Sequence, residues 1–269
     1  MGPLPGRCRI VRQCSIALHL LAWETFGMRV SCYDCRLRAC GLFKPITSEE
    51  LALINDMKRE HLAMLAGTEI IRTGEDDSEL YTLYSGWAFR FKILPDGRRQ
   101  ILNFLLPGDL LGLQAAMFDT ARHGIEALTD VELCLLPRRQ IWRLFSQMPA
   151  LAFDVAWLGA HEESYVDENL MSAGRRNAAE SIAALIVMLY KRANALTLVH
   201  DGTFTFPLSQ QHIADALGLS LVHTNKTLAR LRRLGMFTQV NGSLTLTNPR
   251  VLERIAQYFD EELAQRPLI

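Results

Sequence analysis

Between Ser209 and Leu246 the chain spells out a complete local plan: SQQHIADALGLSLVHTNKTLARLRRLGMFTQVNGSLTL. The Ser209 hydroxyl can cap the first amides of a helix running to Leu217, and Gly218 can then leave that helix in left-handed backbone. Ser220 caps a second helix that ends near Gly235. Asn241-Gly242, set between two alternating runs, predicts a type I′ hairpin. Helix, three-residue turn, helix and hairpin together make a winged helix-turn-helix. A short strand over Phe204 to Pro207 leads into it.

On the second helix of that plan, Thr224, Thr227, Leu228 and Leu231 share the face that packs, which leaves Val222, His223, Asn225, Lys226 and Arg230 pointing outward. Charge supports an outward-facing role. Lys+Arg and Asp+Glu are balanced at 29 each over the 269 residues, yet Ser172 to Arg250 holds nine basic residues against three acidic ones. Such a basic module, joined to a neutral or acidic remainder, suits a polyanion. Side chains at the helix start can reach base edges in a major groove, whereas Arg230 and Arg233 are better placed for phosphates. Asn225 can pair with adenine and Lys226 with guanine. Ser209, Gln210, Gln211 and Ser220 join them as candidate DNA contacts.

Upstream the text changes. From Gly67 to Pro137 short apolar runs alternate with turn signals (RTGEDDS, YSGW, LPDGRR, LPGD), the pattern of a compact β sandwich or barrel, and Asp96-Gly97 marks a hairpin. Beyond Pro149 the period becomes helical. Leu151, Val155, Leu158, Glu162, Tyr165 and Asn169 lie at steps of 4, 3, 4, 3 and 4. That stripe fits a helix packed on the barrel or, the reading adopted, a parallel dimer seam. A further helix runs from about Asn177 to Ala195. With 49% hydrophobic residues the chain can fill two cores.

No apolar run approaches the roughly 18 residues of a membrane span, so a cytoplasmic, non-membrane protein is expected. The opening RCRIVRQCSIALHLLAW has the form of a short signal peptide; equally, Met28 can be the true start, or the segment can be a weakly helical extension. Catalytic signatures are missing: the seven His form no H-x-H or H-E-x-x-H, and neither a Gly-rich phosphate loop nor a nucleophile elbow occurs. An enzyme is not expected.

GWAFRFK, DGRRQILNFLLPGD, GRRNAAESIAAL and QQHIADALGLSLVHTNKTLARLRRLG, in that order, resemble the Crp/Fnr superfamily of bacterial transcription regulators from about Cys32 onward. The resemblance implies an α+β fold with a cyclic-nucleotide-binding-like β-roll, a long dimerisation helix and a winged helix that binds a two-fold symmetric promoter site, with RNA polymerase as a further partner. It divides the chain into an extension of doubtful nativity (1–31), a sensory roll with a cysteine segment (32–148), the dimerisation helix (149–171) and the DNA-binding domain (172–269). Where the family commonly carries Glu, then Ser or Gly, then Arg on the reading helix, this chain has Val222, Asn225 and Lys226. The family's usual half-site is therefore not assumed.

The resemblance also frames what the roll senses. Members that bind cyclic AMP carry a Glu after the cassette glycine and an Arg-Ser pair further on; here Leu113 and Arg122-His123 stand there, so cyclic AMP is not expected. The oxygen-sensing branch holds a 4Fe–4S cluster on three N-terminal cysteines and one from the roll. Cys32, Cys35 and Cys40, spaced C-x2-C-x4-C, with Cys134 in ELCLLP, resemble that set, and four thiolates suffice for such a cluster. A redox or oxygen signal or a small-molecule signal through the roll is therefore expected, with a 4Fe–4S cluster as candidate cofactor, and a ligand-binding sensor module without a cluster is the alternative; a zinc ion or free reduced thiols also remain open. Val166 stands where the oxygen sensor has an acid on the dimer helix, which implies a dimer that forms without the cluster. Cys8 and Cys14 have no assigned role, and disulfides are not expected.

Overall fold

A computed structural model of the chain describes residues 30–76, 78–258 and 265–269. The opening segment read as signal peptide, upstream translation or extension lies outside those residues, as do Cys8 and Cys14.

After two single helical turns over 32–39 comes α1 (Ser48–Met57), started by a capping box in which the Thr47 hydroxyl accepts from the Glu50 amide while the Glu50 carboxylate accepts from the Thr47 amide. The roll then follows as β1 (His61–Met64), β2 (Glu69–Ile71), β3 (Leu80–Ser85), β4 (Ala88–Ile93), β5 (Arg99–Leu105), β6 (Leu110–Leu111), α2 (Leu113–Phe118), β7 (Gly124–Ala127) and β8 (Val131–Leu136). Its strands form two antiparallel sheets, β1-β8-β3-β6 and β2-β7-β4-β5. Inward residues of both, among them Leu62, Ile71, Leu83, Leu105, Ile125 and Leu133, fill one core. The Asp96-Gly97 turn joins β4 to β5, whose register runs from Ile93↔Arg99 to Ala88↔Leu105.

A short α3 (Ile141–Gln147) leads to α4 (Pro149–Gly174). Pro149 stands at its first position, where a missing N–H is harmless. The six residues read as a dimer seam all face this protomer's own body. Leu151, Val155 and Leu158 are buried beside Ile54, Leu80, Leu110 and Leu144. Glu162 pairs with Arg90 at 2.9 Å, the Tyr165 ring lies 4.4 Å from the Arg192 guanidinium, and Asn169 donates to the Leu102 carbonyl at 2.7 Å. Val166 is half-buried. Within this protomer the stripe thus meets α1, α3, the roll and Arg192. The opposite face carries Phe153, Leu170 and Met171, exposed by 69%, 70% and 50%.

The remaining elements are α5 (Ala178–Ala195), β9 (Thr203–Thr205), α6 (Gln210–Leu217), α7 (Leu221–Arg233), β10 (Phe237–Val240), β11 (Ser243–Leu246) and α8 (Pro249–Ala256). Helix α5 is the spine, with Ile182, Leu185, Ile186 and Leu189 buried against α7 and α8. The β10-β11-β9 sheet makes the wing, with Asn241 and Gly242 at φ 49° and 75° in its turn. This is the α+β architecture expected: roll, long helix, winged helix-turn-helix. No helix among the described residues is long and apolar enough to cross a membrane.

Candidate nucleic-acid interface and sensor cavities

Local sequence builds the interface. Ser209 caps α6, its hydroxyl accepting from the His212 amide at 3.1 Å while its own amide donates to His212 Nδ1 at 3.2 Å. Gly218 ends the helix at φ 66°, a left-handed conformation that a Cβ would strain, and Ser220 accepts from the His223 amide to start α7. Thr224, Thr227, Leu228 and Leu231 are buried, so the face expected to pack does pack.

On the outer side Val222 is 63% exposed and His223, Lys226, Arg230, Arg232 and Arg233 are exposed with it. None of those four cations has an ion pair among the described residues. Asn225 sits differently: it is half-buried and its Oδ1 is enclosed without a hydrogen-bond partner. Gln210 is exposed, and Gln211 donates to Asp215 at 2.5 Å, which fixes it along α6.

Sequence reasoning missed the junction between α6 and the roll. Arg99 of β5 binds Asp215 at 3.1 Å and Glu126 at 3.4 Å, with its guanidinium 4.9 Å from the Phe89 ring. Gln100 donates to the Ala216 carbonyl at 3.0 Å, and His212 lies against Phe89. The contacts to Asp215, Ala216 and His212 join residues more than 100 positions apart, so no local pattern signals them.

The cluster expectation is corrected. Among the described residues no group of three or more His, Cys, Asp or Glu side chains is placed to hold a metal ion. The thiols go separate ways. Cys32 is buried in the cluster around α1 and α4, while Cys35 and Cys40 pack against the other core, beside α5. The Cys40 thiol donates to the Ala195 carbonyl at 3.3 Å, and Cys134 lies within β8, between His61 and Thr82. Cys32 and Cys35 are near enough to Cys134 to help raise its pKa, but among the described residues they do not form a metal-holding group with it.

The cassette positions have also become part of the fold. Leu113 opens α2 and borders, with Leu158, a void of about 20 Å³ between roll and α4, room for a water molecule rather than an organic ligand. Arg122 is exposed over the Phe118 ring. His123 is buried, its Nδ1 2.9 Å from Gln114 Oε1; burial, then the nearby Arg90 and Lys92, push its pKa down to about 4, so it is neutral at pH 7. A larger cleft of about 750 Å³ opens between the cysteine segment, the roll and the end of α5, lined among others by Arg36, Tyr84, Trp87, His200 and Phe204.

Residues 62–148 match the cyclic nucleotide-binding domain family and residues 180–255 the Crp-like helix-turn-helix domain family. The nitrogen fixation regulation protein FixK of Bradyrhizobium diazoefficiens is 30% identical over 228 residues, covering 84% of this chain and 93% of that protein. The transcriptional activatory protein AadR of Rhodopseudomonas palustris is 28% identical over 233 residues, covering 87% and 95%. Among solved structures, FixK2 from Bradyrhizobium japonicum superposes with a TM-score of 0.66 at 26% identity, covering 72% of this chain and 96% of that one.

Proposed function

We propose a function that starts from one premise: the chain belongs to the Crp/Fnr superfamily of DNA-binding transcription regulators. It is not an enzyme. Helix α7 enters a major groove with Val222, His223 and Lys226 toward base edges, and Arg230 and Arg233 neutralise flanking phosphates, with Ser209, Gln210, Gln211 and Ser220 near the backbone. Asn225 joins the reading set only by turning its amide outward, because it is half-buried. The carrying observation is a row of exposed cations without internal partners on a helix whose other face is packed. Unpaired surface cations of one sign are what a phosphate backbone binds.

Fluorescence anisotropy on DNA duplexes over a salt series tests this. Affinity should fall steeply with salt, Lys226→Ala should lose preference among sites, and Arg233→Ala should weaken all sites alike. Salt-independent binding would sink the reading.

The regulator works as a homodimer on a two-fold symmetric site in the cytoplasm, and signals to RNA polymerase. Phe153, Leu170 and Met171 on the outer face of α4 are the apolar surface for the second copy. Leu170→Asp should shift sedimentation toward the monomer; an unchanged dimer would move the interface elsewhere.

The roll senses a small molecule without an iron–sulfur cluster. Size supports the cleft of about 750 Å³ as its place of entry, since pockets for organic ligands run from about 300 to 1,000 Å³. The cleft touches both roll and α5, so a ligand there would bear on the DNA-binding unit directly.

A further inference from the structure

The Leu106–Asp109 turn carries chemistry that DNA binding does not use. Asp109 is 8% exposed. Its Oδ2 accepts from the Leu106 amide at 2.7 Å and from Arg192 of α5 at 2.6 Å. Its Oδ1 accepts from Arg266 at 2.6 Å. Arg266 also donates to the Pro107 carbonyl at 2.9 Å, and its guanidinium lies 5.2 Å from the centre of the Phe43 ring. Carboxylate, carbonyl and ring face are the three partners that a planar cation with several forked donors satisfies at once.

Gly108 makes the closure possible. At φ 89° a Cβ there would stand 2.3 Å from Phe43 Cζ and 2.9 Å from the Arg266 guanidinium, so any larger residue would push ring and cation apart. One acceptor is left over. Asn103, 2% exposed, keeps its Oδ1 without a hydrogen-bond partner, and it borders the same void as Asp109 and Arg266. The Arg266 Nε is also buried without a partner, so one acceptor and one donor of the site are left unused by the bonds that Arg266 makes.

Arg266 reaches this place from segment 265–269, which runs beside residues 42–44. The Arg266 amide donates to the Leu42 carbonyl at 2.9 Å and its carbonyl accepts from the Lys44 amide at 3.0 Å. Leu268 and Ile269 are buried, and their carbonyls accept from Arg38 and Lys58, each at 3.1 Å.

We propose that Phe43, Pro107 and Asp109 form a binding site for a guanidinium-bearing ligand, that Arg266 fills it in cis, and that its filling tightens the grip of the roll on α5. Asp109 is the link, because the same carboxylate holds Arg192. The binding half stands by itself; the coupling half rests on the DNA-binding reading.

Arg266→Ala opens the site and leaves the Asp109–Arg192 pair intact. Ethylguanidinium is the probe, read by thermal melting and by anisotropy on one fixed DNA duplex. The variant should melt below the unsubstituted chain. Probe at about ten times its Kd should restore roughly 3–6 °C, saturably. The unsubstituted chain should not respond, ethylammonium should not rescue, and adding Phe43→Leu should weaken the rescue about tenfold. Absence of saturable rescue, or equal rescue by ethylammonium, overturns the site. Should Arg266→Ala not fold, Arg266→Gln keeps more of the volume and must show the same rescue.

DNA affinity of the variant should fall about tenfold and return with probe. Affinity that ignores both substitution and probe overturns the coupling. A chain that binds no DNA before substitution defeats the DNA-binding reading, while the melting result still decides the site.

Discussion

Two sets of arginines divide the labour in this molecule. Arg192 and Arg266 are each within 5% of full burial and close on one carboxylate, whereas Arg230 and Arg233 stand in solvent at the end of α7 with no internal partner among the described residues. The buried pair is held by internal partners, with the Arg266 Nε left without a hydrogen bond, and its task is to hold roll, α5 and segment 265–269 together. Charges on α7 are left unsatisfied by the fold, which is the condition for an outside anion to complete them. The same residue type therefore marks architecture in one region and recognition in the other, and burial with pairing tells them apart.

The sharpest way to break the contrast is Asp109→Ala. It strands two guanidiniums in the interior, and losing one partner of a buried ion cluster costs about 3–5 kcal/mol. Urea unfolding should show that loss. A change below about 1 kcal/mol would mean that both cations rehydrate freely, and the internal set would then be no different from the external one. Burial pushes the Asp109 carboxyl up, but Arg192, Arg266 and the Leu106 amide outweigh it and leave the net shift downward. The stability it contributes is thus complete above the unfolded carboxylate value near 4 and is lost only as pH falls through the lower folded value.

A second effect separates on the pH axis. His123 is held down to about 4 in the folded chain against an ordinary value of about 6.5. The fold prefers it neutral, so its contribution is complete above about pH 6.5 and is lost as pH falls toward 4, on the order of 3 kcal/mol at most. His161 is shifted to about 4 as well, by burial first and then by Arg266 and Arg192, and acts in the same direction over the same window. His123→Gln should reduce the slope of unfolding free energy against pH in that window, with the remainder left to His161, His61 and His212, which are also shifted down. An unchanged slope would put the acid sensitivity elsewhere.

How much of this was legible beforehand follows the distance over which each feature is determined. Ser209, Gly218, Ser220 and Asn241-Gly242 act on amides a few residues away, and each has the predicted role in the structure. The roll hairpin at Asp96-Gly97 is local in the same sense. Cysteine spacing is local too, but convergence with Cys134 depends on how the N-terminal segment crosses the roll, and the periodicity of α4 cannot say which neighbour its stripe meets. Arg266 carries no pattern at all: only its return to Phe43 and Asp109, over 150 residues away for Asp109, gives it a role. Asn225 shows the limit within a helix, since one position on the boundary between faces can turn either way.

Substituting the external set tests the other half of the contrast. Arg230→Ala with Arg233→Ala should leave unfolding free energy within about 0.5 kcal/mol, because nothing internal is lost. The slope of log affinity against log salt should shrink by about two, one for each phosphate contact removed. A stability loss resembling that of Asp109→Ala would show that these arginines serve the fold after all.

The smallest effect belongs to the thiols. Burial pushes the Cys134 thiol up, with Lys58 acting against it, so at neutral pH the group is a protonated, weakly polar side chain within β8. Such a cysteine behaves as a small hydrophobe. Cys134→Ser should therefore change stability by no more than about 1 kcal/mol and leave DNA affinity the same in reducing and oxidising buffer, as read by urea unfolding and anisotropy. A large loss of DNA binding with stability intact would mean that this thiol transmits a signal. It would then stand beside the α7 arginines as a group kept for an outside partner, and the division between paired interior and reserved surface would no longer follow burial.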